Sequence, residues 1–188
     1  MFLTPHSMAG RVTSREVASI ALCAALYAST SYLTSYITIP GSIIQLRPAV
    51  VIPAVFAVVF SPLVGGLGAA IGTFIASIFR YGTPLLTLFS GTPANFICFY
   101  LLGRLSRPYN LKNFIIATIV GYVAGSLIIG LGLALLGILF MSSLAHYATA
   151  AGFSTAFTAT FGTGVLFTLL LAPPLLKLSL AIPGAKRD

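Results

Sequence analysis

The segment Phe114–Met141, FIIATIVGYVAGSLIIGLGLALLGILFM, runs for 28 residues without a charged side chain. A helix needs about 20 apolar residues to cross a hydrocarbon core roughly 30 Å thick. A helix that is apolar all round is one that lies buried or in lipid. This segment therefore reads as a membrane-crossing helix with turns to spare, and the rest of the chain has the same character. Of 188 residues, 58% are hydrophobic and 6% are charged, against about 25% charged in an ordinary soluble domain. So few charges do not cover a water-facing surface, and the length fits one domain.

Working outward, five more apolar stretches appear. The first, 17–36, is stopped by the turn pair Pro40-Gly41. Its length, with no small-residue cleavage site after it, reads as a retained first membrane helix rather than a cleavable leader. The second, 48–60, starts at Pro48, a residue suited to a first helical turn. Ser61-Pro62 divides it from the third, 63–79; the fourth is 85–102, and a polar loop from Gly103 to Asn113 leads into 114–141. The last stretch is 153–178, where Pro173-Pro174 is expected to kink or fray the end. The second is short, roughly 21 Å at 1.5 Å per residue. It must tilt from one interface, be shielded by its neighbours, or be extended by the loop before it. The expected fold is an all-α membrane protein: one domain over residues 1–188, a six-helix transmembrane bundle.

Charge orients the bundle. The formal net charge is +8, but the basic residues sit at the ends of apolar stretches rather than in a patch, which argues against nucleic acid as a partner. With six spans and the N-terminus inside, Arg11, Arg15, Arg104, Arg107, Lys112, Lys177, Lys186 and Arg187 fall on the cytoplasmic side, eight of the ten basic residues. Only Arg47 and Arg80 fall outside. This split follows the positive-inside rule and puts both termini in the cytoplasm of a multi-pass cell-membrane protein.

Small residues recur at four-residue spacing: Gly68 with Gly72, Gly121 with Gly125, Ala21 with Ala25, and Ala24 with Ala28. That spacing stacks them on one helix face and lets another helix approach. For the glycine pairs, packing inside the bundle is the simpler reading. Cys23 and Cys98, both inside apolar stretches, read as small packing residues rather than a disulfide or metal pair.

What the sequence lacks narrows the function. It has no GxxxxGK[ST] motif to cradle ATP phosphates. Its two acidic residues, Glu16 and Asp188, lie outside every apolar stretch, which argues against a carboxylate relay for ion-coupled transport. No HExxH motif or carboxylate pair is present, and no acid is available to orient a histidine beside a serine. The chain reads as a non-enzyme without a cofactor: the binding or permeation part of something larger. A small stand-alone channel or passive permease is the alternative.

Several motifs in order resemble one family. These are Arg15-Glu16-Val17-Ala18-Ser19-Ile20-Ala21-Leu22-Cys23-Ala24-Ala25-Leu26-Tyr27, then Leu46-Arg47-Pro48-Ala49-Val50-Val51-Ile52-Pro53, then Phe60-Ser61-Pro62-Leu63-Val64-Gly65-Gly66-Leu67-Gly68-Ala69-Ala70-Ile71-Gly72, then Gly91-Thr92-Pro93-Ala94-Asn95-Phe96 with Leu102-Gly103. They resemble the substrate-binding S components of energy-coupling factor transporters, the vitamin-uptake systems of the ABC class. Ser61 stands where the family often has glycine. The resemblance covers nearly the whole chain. It implies an S component that binds a vitamin or similar small organic nutrient from outside and docks on a membrane T subunit carrying two cytoplasmic ATPases. Toppling in the membrane would then present the cargo inward. By position, Ala21 and Ala25 match the family's AxxxA, which contacts the T subunit, with Ala24 and Ala28 as the other register.

In the family the pocket opens outward, between the first outer loop and helices four to six. The residues of that face with suitable chemistry are Gln45, Arg47, Arg80, Tyr81, Asn95, His146 and Tyr147, with Phe89 as a further stacking ring. Arginine offers a fork for a carboxylate or phosphate, Asn95 an amide near mid-span, and the rings a stacking face. Snorkelling would account for the arginines equally, and interface anchoring for the tyrosines. His6 and His146, far apart and without acids, make a poor metal site. The N-terminal histidine segment of the nickel and cobalt members and the glycine-rich signature of the biotin type are not evident.

Overall fold

Thr13 opens the first helix with a reciprocal cap. Its hydroxyl accepts from the Glu16 N–H, and the Glu16 carboxylate accepts from the Thr13 N–H at 3.0 Å. One of the chain's two acids is thus spent on a helix N-terminus, where the macrodipole favours it. In this computed structural model, which describes residues 13–37 and 46–181, helix α1 is Ser14–Leu33. A 3-10 turn, Pro48–Val50, leads into α2, Val51–Val59. Helix α3, Pro62–Tyr81, is capped by the Ser61 hydroxyl and ends at Gly82, whose φ of 69° is the left-handed conformation that favours glycine. Helix α4 is Leu85–Leu88 and α5 is Gly91–Leu105. The Asn110 side chain caps α6, Leu111–Leu139. A 3-10 segment, Ser142–Ala148, precedes α7, Ala150–Ala181.

Two elements depart from the sequence expectation. The stretch 85–102 is divided at Phe89-Ser90 into α4 and α5. Pro93 has no N–H for the carbonyl of Phe89, so a continuous helix would be interrupted there, while the first turn of a new one accepts the proline. Gly132 of α6 completes the break, because a Cβ there would overlap the backbone of Phe89 and Ser90. The second departure is α7, which does not fray at Pro173-Pro174 but stays helical to Ala181. Membrane helices tolerate such prolines where neighbours satisfy the freed carbonyls.

Helices α1, α3, α6 and α7 are long and apolar enough to cross a membrane. The short α2 with its 3-10 turn, Pro48–Val59, has no exposed residue. It is shielded by neighbours, so its length need not match the lipid. Ala57 explains the fit: a Cβ on Gly65 or Gly103 would fall on it at 2.9 Å or less.

Both GxxxG pairs are internal. Gly68 and Gly72 receive Cys23, Ala24, Tyr27 and Ala28 of α1, while Gly121 and Gly125 receive Ala94, Cys98 and Leu102 of α5. The residue order in these contacts makes α1 and α3 parallel and α5 and α6 antiparallel. Tyr122 bonds Thr168 at 2.7 Å, fixing α7 on α6. Arg107 donates to the Phe60 carbonyl at 3.1 Å, joining the α2–α3 junction to the α5–α6 loop at one end of the bundle. Arg80 donates to the Ser35 carbonyl at 2.6 Å, tying the ends of α1 and α3 together at the other. Helix α1 begins and α7 ends at the Arg107 end.

Candidate substrate site

Helical spacing builds the site. On α1 and the turn that follows it, Tyr27, Ser31, Thr34 and Ser35 lie in register; on α3, Thr73, Ser77, Arg80 and Tyr81 follow one face. Residues three and four apart share a face, so two hydroxyl-bearing stripes meet where α1 and α3 run parallel. They enclose a cavity of about 50 Å³, completed by Tyr32, Arg47, Ala49, Ala76 and Thr87. A second hollow of about 350 Å³ shares Tyr32, Ser35 and Arg80 with it and adds Tyr36 and Phe79. Ser35 and Arg80, joined by their hydrogen bond, line both. Nearby, Leu46 N–H donates to the Ile37 carbonyl at 2.9 Å, fastening the chain on either side of residues 38–45.

Four of the expected residues gather here. Arg47 and Arg80 are half-buried and line the same cavity, with Tyr81 beside them. The Arg80 guanidinium lies 5.0 Å from the Tyr81 ring centroid, a cation–π arrangement. Asn95, 5% exposed, sits behind the wall. Its amide nitrogen donates to Thr73 Oγ1 at 2.6 Å and approaches Tyr27 Oη at 3.4 Å. The Asn95 carbonyl oxygen accepts no hydrogen bond among the described residues. Half of the amide is thus committed to neighbouring helices, and the other half remains free to accept.

The remaining expected residues lie elsewhere. Tyr147 is buried in an apolar cluster with Ala94, Leu133, Leu136, Leu144 and Ala156. Exposed His146 lies against it with the rings tilted, 4.0 Å between centroids, and does not line the cavity. The 3-10 segment that carries both is pressed onto α6 through Gly137 and onto α7 through Gly152. Phe89 stacks on Phe140 at 6.2 Å instead of facing the cavity. Gln45 lies outside the described residues. Sequence reading missed Tyr27, Ser31, Thr73 and Ser77, although their spacing of four, with hydroxyls on both helices, was there to be read.

The alanine pairs separate cleanly. Ala24 and Ala28 are buried against α3, whereas Ala21 and Ala25 are exposed on the opposite side of α1 with Ser14, Ala18 and Ser29. Leu22 and Leu26 flank that stripe and are exposed too.

A family model of the ECF-type riboflavin transporter S component matches residues 11–176. The chain belongs to that family. No curated protein and no solved structure matches it significantly. The S component is a multi-pass cell-membrane protein of vitamin uptake, and its role is transport rather than catalysis. Membership implies a membrane T subunit, ATPase partners and a small-molecule substrate. Among the described residues no cluster of three or more histidine, cysteine or acidic groups is placed to hold a metal ion.

Proposed function

We propose that this S component captures riboflavin, or a close relative of it, from the outer side of the membrane in the cavity between α1 and α3. A T subunit with two cytoplasmic ATPases then drives its delivery. The bundle crosses the membrane six times with both termini in the cytoplasm, so the Arg107 end faces inward and the Arg80 end outward. The observation that carries this reading is the position of the hydroxyl-lined cavity. It lies at the end remote from Arg104, Arg107 and Lys112, where a vitamin would arrive.

Vitamin-sized ligands occupy pockets of roughly 300–1,000 Å³. The inner cavity alone is too small for one. Release of Arg80 from the Ser35 carbonyl would merge it with the outer hollow and reach that range. Ligand entry therefore costs that hydrogen bond, and Arg80 becomes free to bind the guest. Ala21 and Ala25 face away from the cavity, which suits docking on the T subunit by their flat stripe.

Purified chain in detergent tests the reading through quenching of flavin fluorescence. The expected result is one riboflavin bound per chain in the nanomolar to micromolar range. Liposomes holding the chain alone should pass no flavin. Flux without the T subunit and ATPases would favour the stand-alone permease instead.

A further inference from the structure

Most of the S component's described cations are exposed near helix ends: Arg15, Arg104, Arg107, Lys112 and Lys177. Arg47 and Arg80 are the exceptions, half-buried and lining one cavity. Neither has an acid beside it. Glu16 is at the opposite end of α1, engaged with Thr13, and Asp188 lies outside the described residues. Arg80 has one hydrogen bond, to a carbonyl, and a ring contact. Arg47 has no hydrogen-bond or ion-pair partner among the described residues. Snorkelling would turn Arg47 toward the headgroups, yet it is half-buried and lines the cavity together with Tyr27 and Thr73. A cation held out of water without a counter-charge is costly, and an arriving anion removes that cost.

We infer that Arg47 and Arg80 form an anion subsite, so that the best ligand carries a carboxylate or phosphate beside its ring. This rests on the substrate-site reading above and narrows it. The two guanidinium forks are the donor set that recognises such a group, since the Thr34, Thr73, Ser77 and Thr87 hydroxyls already donate to backbone carbonyls. Asn95 and the tyrosines would hold the uncharged part. Lipid headgroups also carry phosphate, so the two sources must be separated by experiment.

Riboflavin and riboflavin 5′-phosphate differ only in the anion. Both are titrated into the full chain in phosphatidylcholine nanodiscs, with fluorescence quenching as readout. The phosphate ester should bind at least about tenfold more tightly. Its affinity should rise from pH 5.5 to 7.5, as the phosphate takes its second charge near pH 6, while that of riboflavin stays level. Arg47→Gln and Arg80→Gln should each weaken the ester by about tenfold more than they weaken riboflavin. Equal wild-type affinities, or parallel losses in the variants, would overturn the subsite.

If neither flavin binds, the vitamin assignment falls separately, and inorganic phosphate decides the subsite. A rise in the wild type's thermal midpoint that is absent from the double variant keeps it; no rise overturns it. In nanodiscs containing phosphatidylglycerol, retention of that lipid through Arg47 and Arg80, with loss of the soluble phosphate effect, would assign the cations to headgroups and also overturn it.

Discussion

The lower and upper halves of the α1–α3 pair are built from the same two backbones and do opposite things. Below, Gly68 and Gly72 have no side chain, and Cys23, Ala24 and Ala28 fill the space, so the helices touch. Above, Tyr27, Ser31, Thr73, Ser77 and Arg80 line a polar hollow between the pair. The difference follows side-chain size, with glycine and alanine below and larger polar side chains above. A bundle in lipid has no hydrophobic force between helices and relies on close packing. The sealed half therefore supplies the stability that lets the other half stay hollow.

The strongest way to break that contrast is to put a large side chain into the seal. At Gly72 even a Cβ would lie 2.9 Å from the Ala24 carbonyl oxygen, which belongs to backbone and cannot swing away. Gly72→Leu should cost about 3 kcal/mol, seen as loss of the monodisperse peak on size exclusion and a collapse of the thermal midpoint. A well-folded Gly72→Leu protein would mean that the two halves do not differ in tightness.

The next test turns α1 to its other side. Ala25 is exposed, so Ala25→Trp should leave flavin affinity of the isolated chain intact while abolishing uptake by the assembled transporter. Loss of binding together with uptake would show that α1 bears on the cavity from its outer side as well, and the docking assignment would go.

Much of the seal was legible in the sequence, and little of the hollow. Four-residue spacing of glycines predicts a close crossing wherever it occurs, and both GxxxG pairs are crossings. Spacing does not say which of two alanine pairs on α1 faces inward, since Ala21/Ala25 and Ala24/Ala28 have the same periodicity. Partner geometry decides it, through Gly68 and Gly72. The break at Phe89-Ser90 depends jointly on Pro93 and on Gly132, residues 39 apart in the chain. His146 and Tyr147 look like ligand contacts by chemistry and depth. Their segment is instead folded onto α6 and α7 by Gly137 and Gly152, a contact that composition does not reveal.

Asn95 joins the two halves, bonded to Thr73 and Tyr27 at the level where the seal gives way to the hollow. Asn95→Ala removes the bond to Thr73 and should cost about 1 kcal/mol of stability. If its free carbonyl oxygen accepts from the ligand, affinity should fall further, by about tenfold. Thermal midpoint and flavin titration on the same sample separate the two effects. A stability loss with affinity unchanged would make Asn95 a strut of the seal only.

Ser77→Ala sharpens the comparison with the smallest change. The Ser77 hydroxyl lines the cavity, but its proton is already donated to the Phe74 carbonyl at 2.7 Å, so only its lone pairs face the guest. One neutral acceptor contributes about 0.5–1.5 kcal/mol net, so ligand affinity should drop by roughly threefold to tenfold. Stability should hardly move, because the Phe74 carbonyl keeps its helical hydrogen bond. An affinity loss larger than that of Asn95→Ala would shift the centre of recognition from Asn95 to α3. No loss at all would mean that the hydroxyl stripe only hydrates the hollow, leaving the arginines and Asn95 to choose the ligand.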